Sequence, residues 1–348
     1  MAVNNPIVTS LPEYVQTNQD QILKNFGLVG EGTRGRIGLQ TGIKSKAQLN
    51  YFEVAPVFQN GKGCGFTPLG TVTLTARNIE VAIIKTDMDI CPDNLLGTYA
   101  EYLVKIGATS EDLPFEQYIV DGVNKSIKEY IEKLIWQGDT DSEDDQLAFI
   151  DGFLKLAADE AGVIDVDLSA ETSVYAGLLQ VYMAMPEEVL KRGGVIFVSP
   201  ADYRVFTQEI IGLNLYHYPG TANGAAPSEV FLPGTDVLVV KTEGLAGTHS
   251  VVGTFAKNFV YGTDFEGDEE EFDLHYSRDL KYFLLTVKWA SGVQMAFPEL
   301  VVLGTFGAAP TLTGGNAGAL KSIAASAATL AGAVNEDNQV ETHPNTQA

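Results

Sequence analysis

The residues whose type and spacing best suit chemistry stand near the start of the chain. Gly30-Glu31-Gly32-Thr33-Arg34-Gly35 spells GxGxxG, the spacing that brings backbone N–H groups against a pyrophosphate. That use needs a strand before the turn and an unbroken helix after it. Only a short apolar stub precedes the glycines, and Gly38 interrupts the would-be helix, so the segment reads as a flexible arm. Asp139-Thr140-Asp141-Ser142-Glu143 begins like a calcium loop, but Asp144 stands at the sixth position and Ile150 at the twelfth. An EF-hand needs glycine and glutamate there. The run from Asp264 to Glu271 could hold a cation loosely, and reads better as a solvated turn or a docking patch for a basic segment.

The four histidines, His217, His249, His275 and His343, are not one helical turn apart, and no nucleophile elbow, Walker A loop or HExxH motif occurs. Ser199 in Val198-Ser199-Pro200 fits a helix N-cap followed by a first-turn proline better than a nucleophile. The reading is of no catalytic residue, no metal and no cofactor. The two cysteines, Cys64 and Cys91, have no zinc-ligand spacing and suit a reducing compartment, although Cys64 at an exposed tip could form an intersubunit bond.

The chain has 348 residues with 22 Lys and Arg against 45 Asp and Glu, a formal charge of −23, which gives no global drive toward nucleic acid or an anionic membrane. Between Gln21 and Phe52, however, Lys24, Arg34, Arg36, Lys44 and Lys46 face Glu31 alone. This basic arm is either solvated or laid across an acidic neighbour, with DNA contact as a third use. The N-terminus has no signal-peptide pattern, and no apolar run is long enough for a membrane helix.

The elements that must position these groups are legible from periodicity. An arm, residues 1–49, holds one helical candidate, Leu11 to Phe26. Two strand-forming runs then flank the tip Asn60-Gly61-Lys62-Gly63-Cys64-Gly65-Phe66. The second run alternates at period two through Thr71–Ala76 and again through Ile79–Ile84. The phase flips at Arg77-Asn78, which predicts a bulge. A ribbon of two strands is at best marginal alone in water, so it must lie on something, and a second copy is the natural candidate.

Apolar residues predict a helix from Leu95 to Ile106 and a longer one from Pro114 to Gln137, ended by Gly138. Further along, the pattern predicts a helix over Ala170–Met185 and a strand over Gly194–Val198. A helix from Pro200 to about Ile211, a loop over 212–234 and a strand over Val237–Val240 come next. The last strands are Val251–Phe255, Phe259–Tyr261, Phe272–Tyr276, Tyr282–Trp289 and Gln294–Phe297, with Ala290-Ser291-Gly292 as a turn. Beyond Gly307 the composition is that of a linker or tail.

This order of arm, ribbon, long helix, mixed body and returning strands resembles the major capsid proteins of tailed bacteriophages, the HK97-like family, over residues 1–306. Local segments carry the likeness. Asn5-Pro6-Ile7-Val8-Thr9-Ser10-Leu11-Pro12-Glu13-Tyr14 resembles the opening of capsid proteins from phages of the Bacteroidetes type. Leu113-Pro114-Phe115-Glu116 and Trp136-Gln137-Gly138-Asp139 resemble the two ends of the spine helix. Val198 to Tyr203, Gly253 to Phe259 and Met295 to Glu299 resemble steps within and out of the A-domain and toward the closing P-domain.

The resemblance implies an α+β fold with an N-arm (1–49), an E-loop (50–91) and a first P-domain part with the spine helix (92–165, helix 114–137). An A-domain (166–250), a second P-domain part (251–306) and a tail (307–348) complete it. It implies hexamers and pentamers in a virion shell assembled in the bacterial cytoplasm, packaged double-stranded DNA without sequence specificity, no membrane, and portal, scaffold or decoration proteins as partners. Intersubunit contacts fall to the tip, Asn60, Gly61, Lys62, Gly63, Cys64, Gly65 and Phe66, and to Arg34, Arg36, Lys44 and Lys46 of the arm. Some members cross-link through a ribbon lysine; Lys62 stands at the tip, but its asparagine and glutamate partners are not identified, so cross-linking is not implied. Other readings are an encapsulin-like shell, a soluble α/β enzyme with an unrecognised site, and a different virion component.

Overall fold

The computed structural model describes residue 33 and residues 36–59, 69–91, 115–213, 229–264 and 271–307. The expected helices at Leu11–Phe26 and Leu95–Ile106, the tip and the tail lie outside these residues. The first strands are β1 (Gly38–Gln40), β2 (Lys46–Ala55), β3 (Thr71–Glu80) and β4 (Ala82–Ile90). Helices α1 (Phe115–Gln137) and α2 (Phe153–Asp159) precede β5 (Ile164–Leu168). Then come α3 (Val174–Ala184), α4 (Glu187–Lys191), β6 (Gly194–Val198) and α5 (Pro200–Gly212). The remainder is β: β7 (Glu229–Phe231), β8 (Leu238–Lys241), β9 (Ser250–Phe255), β10 (Phe259–Gly262), β11 (Glu271–Ser277), β12 (Tyr282–Met295) and β13 (Val302–Phe306).

Three sheets form. A six-stranded sheet runs β5-β13-β9-β6-β8-β7, a five-stranded sheet gathers β1, β10, β12, β11 and β4, and β2 pairs only with β3. The six-stranded sheet is apolar on both faces, as the fully buried β6 shows. On one face, Ile196, Val198, Val239 and Val302 pack against Leu178 and Val181 of α3 and Phe206 and Ile210 of α5. On the other, Val195, Phe197 and Val252 meet Leu134 and Ile135 of α1, whose core also takes in Phe283, Leu285 and Val287 of β12. Helix α1 therefore joins the two large sheets through one core. Trp136 is its centre, with ring centroids 5.3 Å from Phe153, 5.0 Å from Phe197 and 5.7 Å from Phe259.

The long helix ends where the glycine demanded it. A Cβ on Gly138 would lie 2.4 Å from the Ile150 carbonyl oxygen, so only glycine lets the returning loop close in. Helix α5 begins at Pro200 with Ser199 as its cap, as expected: the hydroxyl accepts the Asp202 N–H at 3.1 Å. Helix α3 starts at Val174, later than the Ala170 of the apolar pattern. Ser173 caps it, and Glu209 of α5 accepts the N–H groups of Val174 and Tyr175, which fixes the start by tertiary contact.

Three expectations are corrected. No bulge occurs at Arg77-Asn78: the β2–β3 register is unbroken from Lys46↔Glu80 to Ala55↔Thr71. The phase flips within β3, where Ile79 faces the buried root while Val72 and Leu74 stand exposed on the opposite face; past Val81, whose N–H donates to the Ser45 carbonyl, the run continues as β4 of a second sheet. The 212–234 region is not all loop, since Glu229–Phe231 pairs with β8 as strand β7; residues 214–228 lie outside the description. Ala290-Ser291-Gly292 is not a turn, because β12 runs through it without a break.

Gly292 supplies room there. It pairs with Gly262, and a Cβ on it would sit 2.1 Å from the Glu80 carbonyl oxygen. A Cβ on Gly262 would lie 2.7 Å from the Ile79 side chain and 2.9 Å from Ile43. The two glycines form a notch that seats the root of the ribbon. Gly292→Ala is expected to cost about 1–3 kcal/mol of stability, as overpacking against a fixed backbone does. Urea unfolding checks this, and an unchanged midpoint would contradict the notch.

Candidate functional site

The β2–β3 ribbon is covered over one half and bare over the other. At its root Leu49 and Ile79 are buried with Ile43 and Val260, and Ala47, Tyr51 and Val81 pack around them. Polar contacts fix its direction. Arg77 pairs with Glu160, just beyond α2, at 2.5 Å, and the Gln294 side chain donates to the Asn78 carbonyl at 2.9 Å. The Tyr51 ring lies 5.0 Å from Phe297. Phe297 and Phe255 in turn share the Arg192 guanidinium, at 5.5 and 5.0 Å. Burial raises the Tyr51 hydroxyl above its usual pKa, against the lowering effect of Arg77.

Past this root the ribbon has no cover of its own among the described residues. Val72 is 62% exposed, Leu74 76% and Phe58 93%, with Val57 and Leu69 also exposed. Each of these side chains gains on the order of 1.5–3 kcal/mol when fully covered, and large apolar residues left exposed along one ribbon are candidates for an interaction surface. Strand β3 alone spans roughly 33 Å at 3.3 Å per residue, so the bare half projects well away from the root.

Only some of the expected contact residues are described. The tip, Asn60 to Phe66, and Arg34 lie outside the described residues. Arg36 pairs with Glu229 of β7 at 2.7 Å, and its carbonyl accepts the Lys257 N–H at 2.6 Å. Lys46 pairs with Glu80 across the ribbon. Lys44 is exposed and has no partner among the described residues. Arg36 and Lys46 thus hold the base of their own chain.

The sequence reading missed a buried anchor. Thr33, inside the GxGxxG segment, is fully buried and donates to Glu132 of α1 at 2.9 Å, while the Trp136 indole N–H donates back to Thr33 at 3.2 Å. Burial pushes the Glu132 carboxyl up; the Thr33 hydroxyl and the Gly244 and Glu243 N–H groups pull the other way. The turn at Gly244 comes so close that a Cβ would lie 2.3 Å from the indole. The local sequence gives no signal of it: at ~100° per residue Glu132 falls off the stripe of Ile131 and Leu134, on the side that the pattern reads as polar.

The groups weighed for chemistry are otherwise occupied. The Ser199 hydroxyl donates to Asp202 at 2.7 Å, and His249 Nδ1 lies 3.3 Å from the other Asp202 oxygen. The carboxylate stands between serine and histidine, so the histidine is not placed to take the serine proton. Asp139, Asp141 and Asp151 turn onto Lys155, at 3.5 Å for Asp151. The ammonium holds the Asp139 carboxyl below its usual range. Among the described residues no group of three His, Cys, Asp or Glu side chains is arranged for a metal, and no helix is long and apolar enough to cross a membrane.

No protein-family model matches the chain, and no curated protein does. Solved structures do. A chain of the satellite phage P4 procapsid that includes the size determination (Sid) protein matches at TM-score 0.55 and 12% identity, over 84% of this chain and 90% of that one. The capsid of the empty GTA particle matches at 0.52 and 10%, over 81% and 92%. The native GTA capsid matches at 0.51 and 9%, again over 81% and 92%. At such identities the likeness is one of fold, and the fold is the α+β, HK97-like capsid fold expected from the order of elements.

The raised Glu132 pKa sets a sign for pH dependence. A folded carboxyl above its ordinary value of 4.5 binds more protons than the unfolded one, so its contribution to stability falls as pH rises from about 4.5 through the folded pKa. Replacing Glu132 by Gln removes that fall. The stability of Glu132→Gln relative to the parent is therefore expected to increase with pH across this window, read by urea unfolding at stepped pH; a flat difference would show that Glu132 titrates normally.

Proposed function

We propose that this chain is the major capsid protein of a tailed bacteriophage, forming hexamers and pentamers that close an icosahedral head around double-stranded DNA. The observation that carries the reading is the ribbon: rooted in a notch of its own subunit, apolar and bare beyond, on a body with the fold of phage capsid chains. In this reading residues 50–91 are the E-loop, lying over a neighbour's P-domain. The helix at 114–137 is the spine, residues 166–250 are the A-domain that meets its copies at the capsomer axis, and residues 1–49 are the arm. Portal, scaffold or decoration proteins complete the particle. The protein acts by assembly and not by catalysis: many weak contacts sum because symmetry repeats each one.

Electron microscopy of the purified protein tests the class. Closed particles or capsomers holding double-stranded DNA are the expected result; particles filled with an enzyme would make it a cargo compartment, and a compact monomer would end the shell reading. Deleting residues 59–69 is expected to abolish particles while leaving the subunit folded. The double variant Val72→Asp with Leu74→Asp is expected to do the same with no loss of subunit stability, since both side chains are already exposed. Normal particles from either variant would contradict the ribbon's role.

The arm cations are expected to separate into two kinds. Neutralising Arg34 and Lys44 should lower assembly yield most at low salt, where screening is weakest. Neutralising Arg36 or Lys46 should loosen the subunit itself, through the pairs with Glu229 and Glu80. A deficit relative to wild type that does not change with salt would exclude electrostatic docking of the arm.

A further inference from the structure

Helix α3 has an outer face unlike those of α1 and α5. Its sequence, Val174-Tyr175-Ala176-Gly177-Leu178-Leu179-Gln180-Val181-Tyr182-Met183-Ala184, contains no charged residue. Val174, Leu178 and Val181 are buried in the core beneath it. At ~3.6 residues per turn, Ala176, Leu179 and Met183 lie on the opposite side, with Tyr175 and Tyr182 on its flank. Met183 is 78% exposed and the other four are half-buried. By contrast α1 turns Lys125, Glu129 and Lys133 to water, and α5 turns Arg204 and Gln208. A helix that is apolar all round belongs inside a protein, yet among the described residues α3 is covered on one side only.

The chain leaves the described body beside this helix. Strand β13 ends at Phe306, whose ring rests on α3 at Gly177: a Cβ on that glycine would lie 2.5 Å from it. Gly307 follows against Ser169, in the turn that leads toward α3. Residues 308–348 continue from that point. Between Ala308 and Val334 the single charged residue is Lys321, in a chain that is 19% charged, so this stretch does not read as a solvated charge tail. Leu320, Ile323, Ala327, Leu330 and Val334 recur at steps of three and four, the spacing of one helical face. Ser322, Ser326 and Thr329 fall on the other side, and alanine fills most of the rest. A lone helix of this length is marginal in water, so such a stripe needs a surface.

We propose that residues 319–334 dock as a helix along the outer face of α3 in the same subunit, laying their apolar stripe on Leu179 and Met183. Two faces that lack cover then cover each other. The connection selects the chain's own segment. Residues 308–318 reach up to roughly 36 Å when extended at ~3.3 Å per residue, against roughly 16 Å for the whole of α3 at ~1.5 Å per residue. The link therefore holds the segment at high effective concentration over this face. Its alanines let the two axes approach toward the lower end of the usual ~8–10 Å. The docking concerns a single subunit and is independent of whether subunits build a shell.

Hydrogen–deuterium exchange of the full-length protein tests this, read by mass spectrometry on peptides covering 319–334. Amides there are expected to exchange at least roughly tenfold slower than an unstructured chain. Met183→Asp is expected to remove that protection, with circular dichroism confirming that the body stays folded. Ile323→Asp with Leu330→Asp, which leaves the body untouched, is expected to remove it too and to speed peroxide oxidation of Met183 several-fold. Ser322→Asp with Thr329→Asp, on the far side of the stripe, is expected to keep it. In a chain with Cys64 and Cys91 replaced by serine, Met183→Cys is combined in turn with Ile323→Cys, Ala327→Cys or Leu330→Cys. At least one pair is expected to close a disulfide within one chain. Unprotected amides over 319–334 in wild type would overturn the proposal. So would protection that survives Met183→Asp, which seats the segment elsewhere, or disulfides formed only between chains, which assign the face to a second copy.

Discussion

An antiparallel pair of strands has two faces and no interior. Whatever apolar residues it carries must be covered by something else, or stay in water at a cost of about 25 cal/mol per Å². In this chain β2 and β3 satisfy that requirement for half their length. Leu49 and Ile79 reach the core beside Ile43 and Val260, while Val72 and Leu74 on the same strand pair stay exposed. The boundary between the halves is the physical fact around which the subunit is organised. The body is built to hold the root firmly, and the free half is left for a surface that the described subunit does not contain.

How the body holds the root explains several features with no other use. The facing glycines Gly262 and Gly292 open the β10–β12 sheet where Ile79 and Glu80 press against it. Arg77 and Glu160 fix the angle from one side, and the series Tyr51, Phe297, Arg192 from another. Strand β3 passes into β4, which pairs with β12 over Ala82–Ile90. A force on the ribbon is thus transmitted into the longest described strand, which shares its core with α1 and, through Trp136, with β6 and α2. Rigidity at the root makes the bare half a defined shape and spares part of the ordering cost that a flexible loop would meet on docking.

Range in the chain decides which features the sequence discloses. Signals within a few residues of each other are readable: the apolar stripe of α1, the Ser199-Pro200 start of α5, the Val-rich runs of β6 and β9. Signals that depend on a distant neighbour are not. Gly292 looks like a turn until Glu80 is known to lie against it, because glycine serves both for bending and for close approach. The start of α3 depends on Glu209, which no local pattern around Ala170 contains. The phase flip near Arg77 is real and its cause is hidden, since only the packing of Ile79 against Ile43 and Val260 shows that the apolar side changes faces within β3. The ribbon's need for a partner is legible from its period and length, but not which half is bare, because that is decided by Ile43 and Val260. Of the four arm cations, Arg36 and Lys46 have in-chain carboxylate partners that no local pattern discloses: Glu229 is distant in sequence and Glu80 lies across the hairpin.

The in-chain pairing of those two cations bears on the balance between electrostatic and apolar association. A basic arm on an acidic body invites the view that subunits attract one another by charge. Yet each subunit carries −23, so any two copies repel overall, and charges spent on Glu229 and Glu80 are unavailable to offset that repulsion. Exposed ion pairs contribute only about 0–1 kcal/mol each, against about 1.5–3 kcal/mol for covering one large apolar side chain. Val57, Phe58, Leu69, Val72 and Leu74 are all exposed, so under the proposed assembly the attraction between copies would rest on the ribbon. The charge then sets the conditions, opposing association at low ionic strength and relaxing as salt screens it. Under the proposed function, an acidic subunit with an apolar projection would stay dispersed until concentration or a nucleating partner brings copies together, as closing a shell without premature aggregation requires.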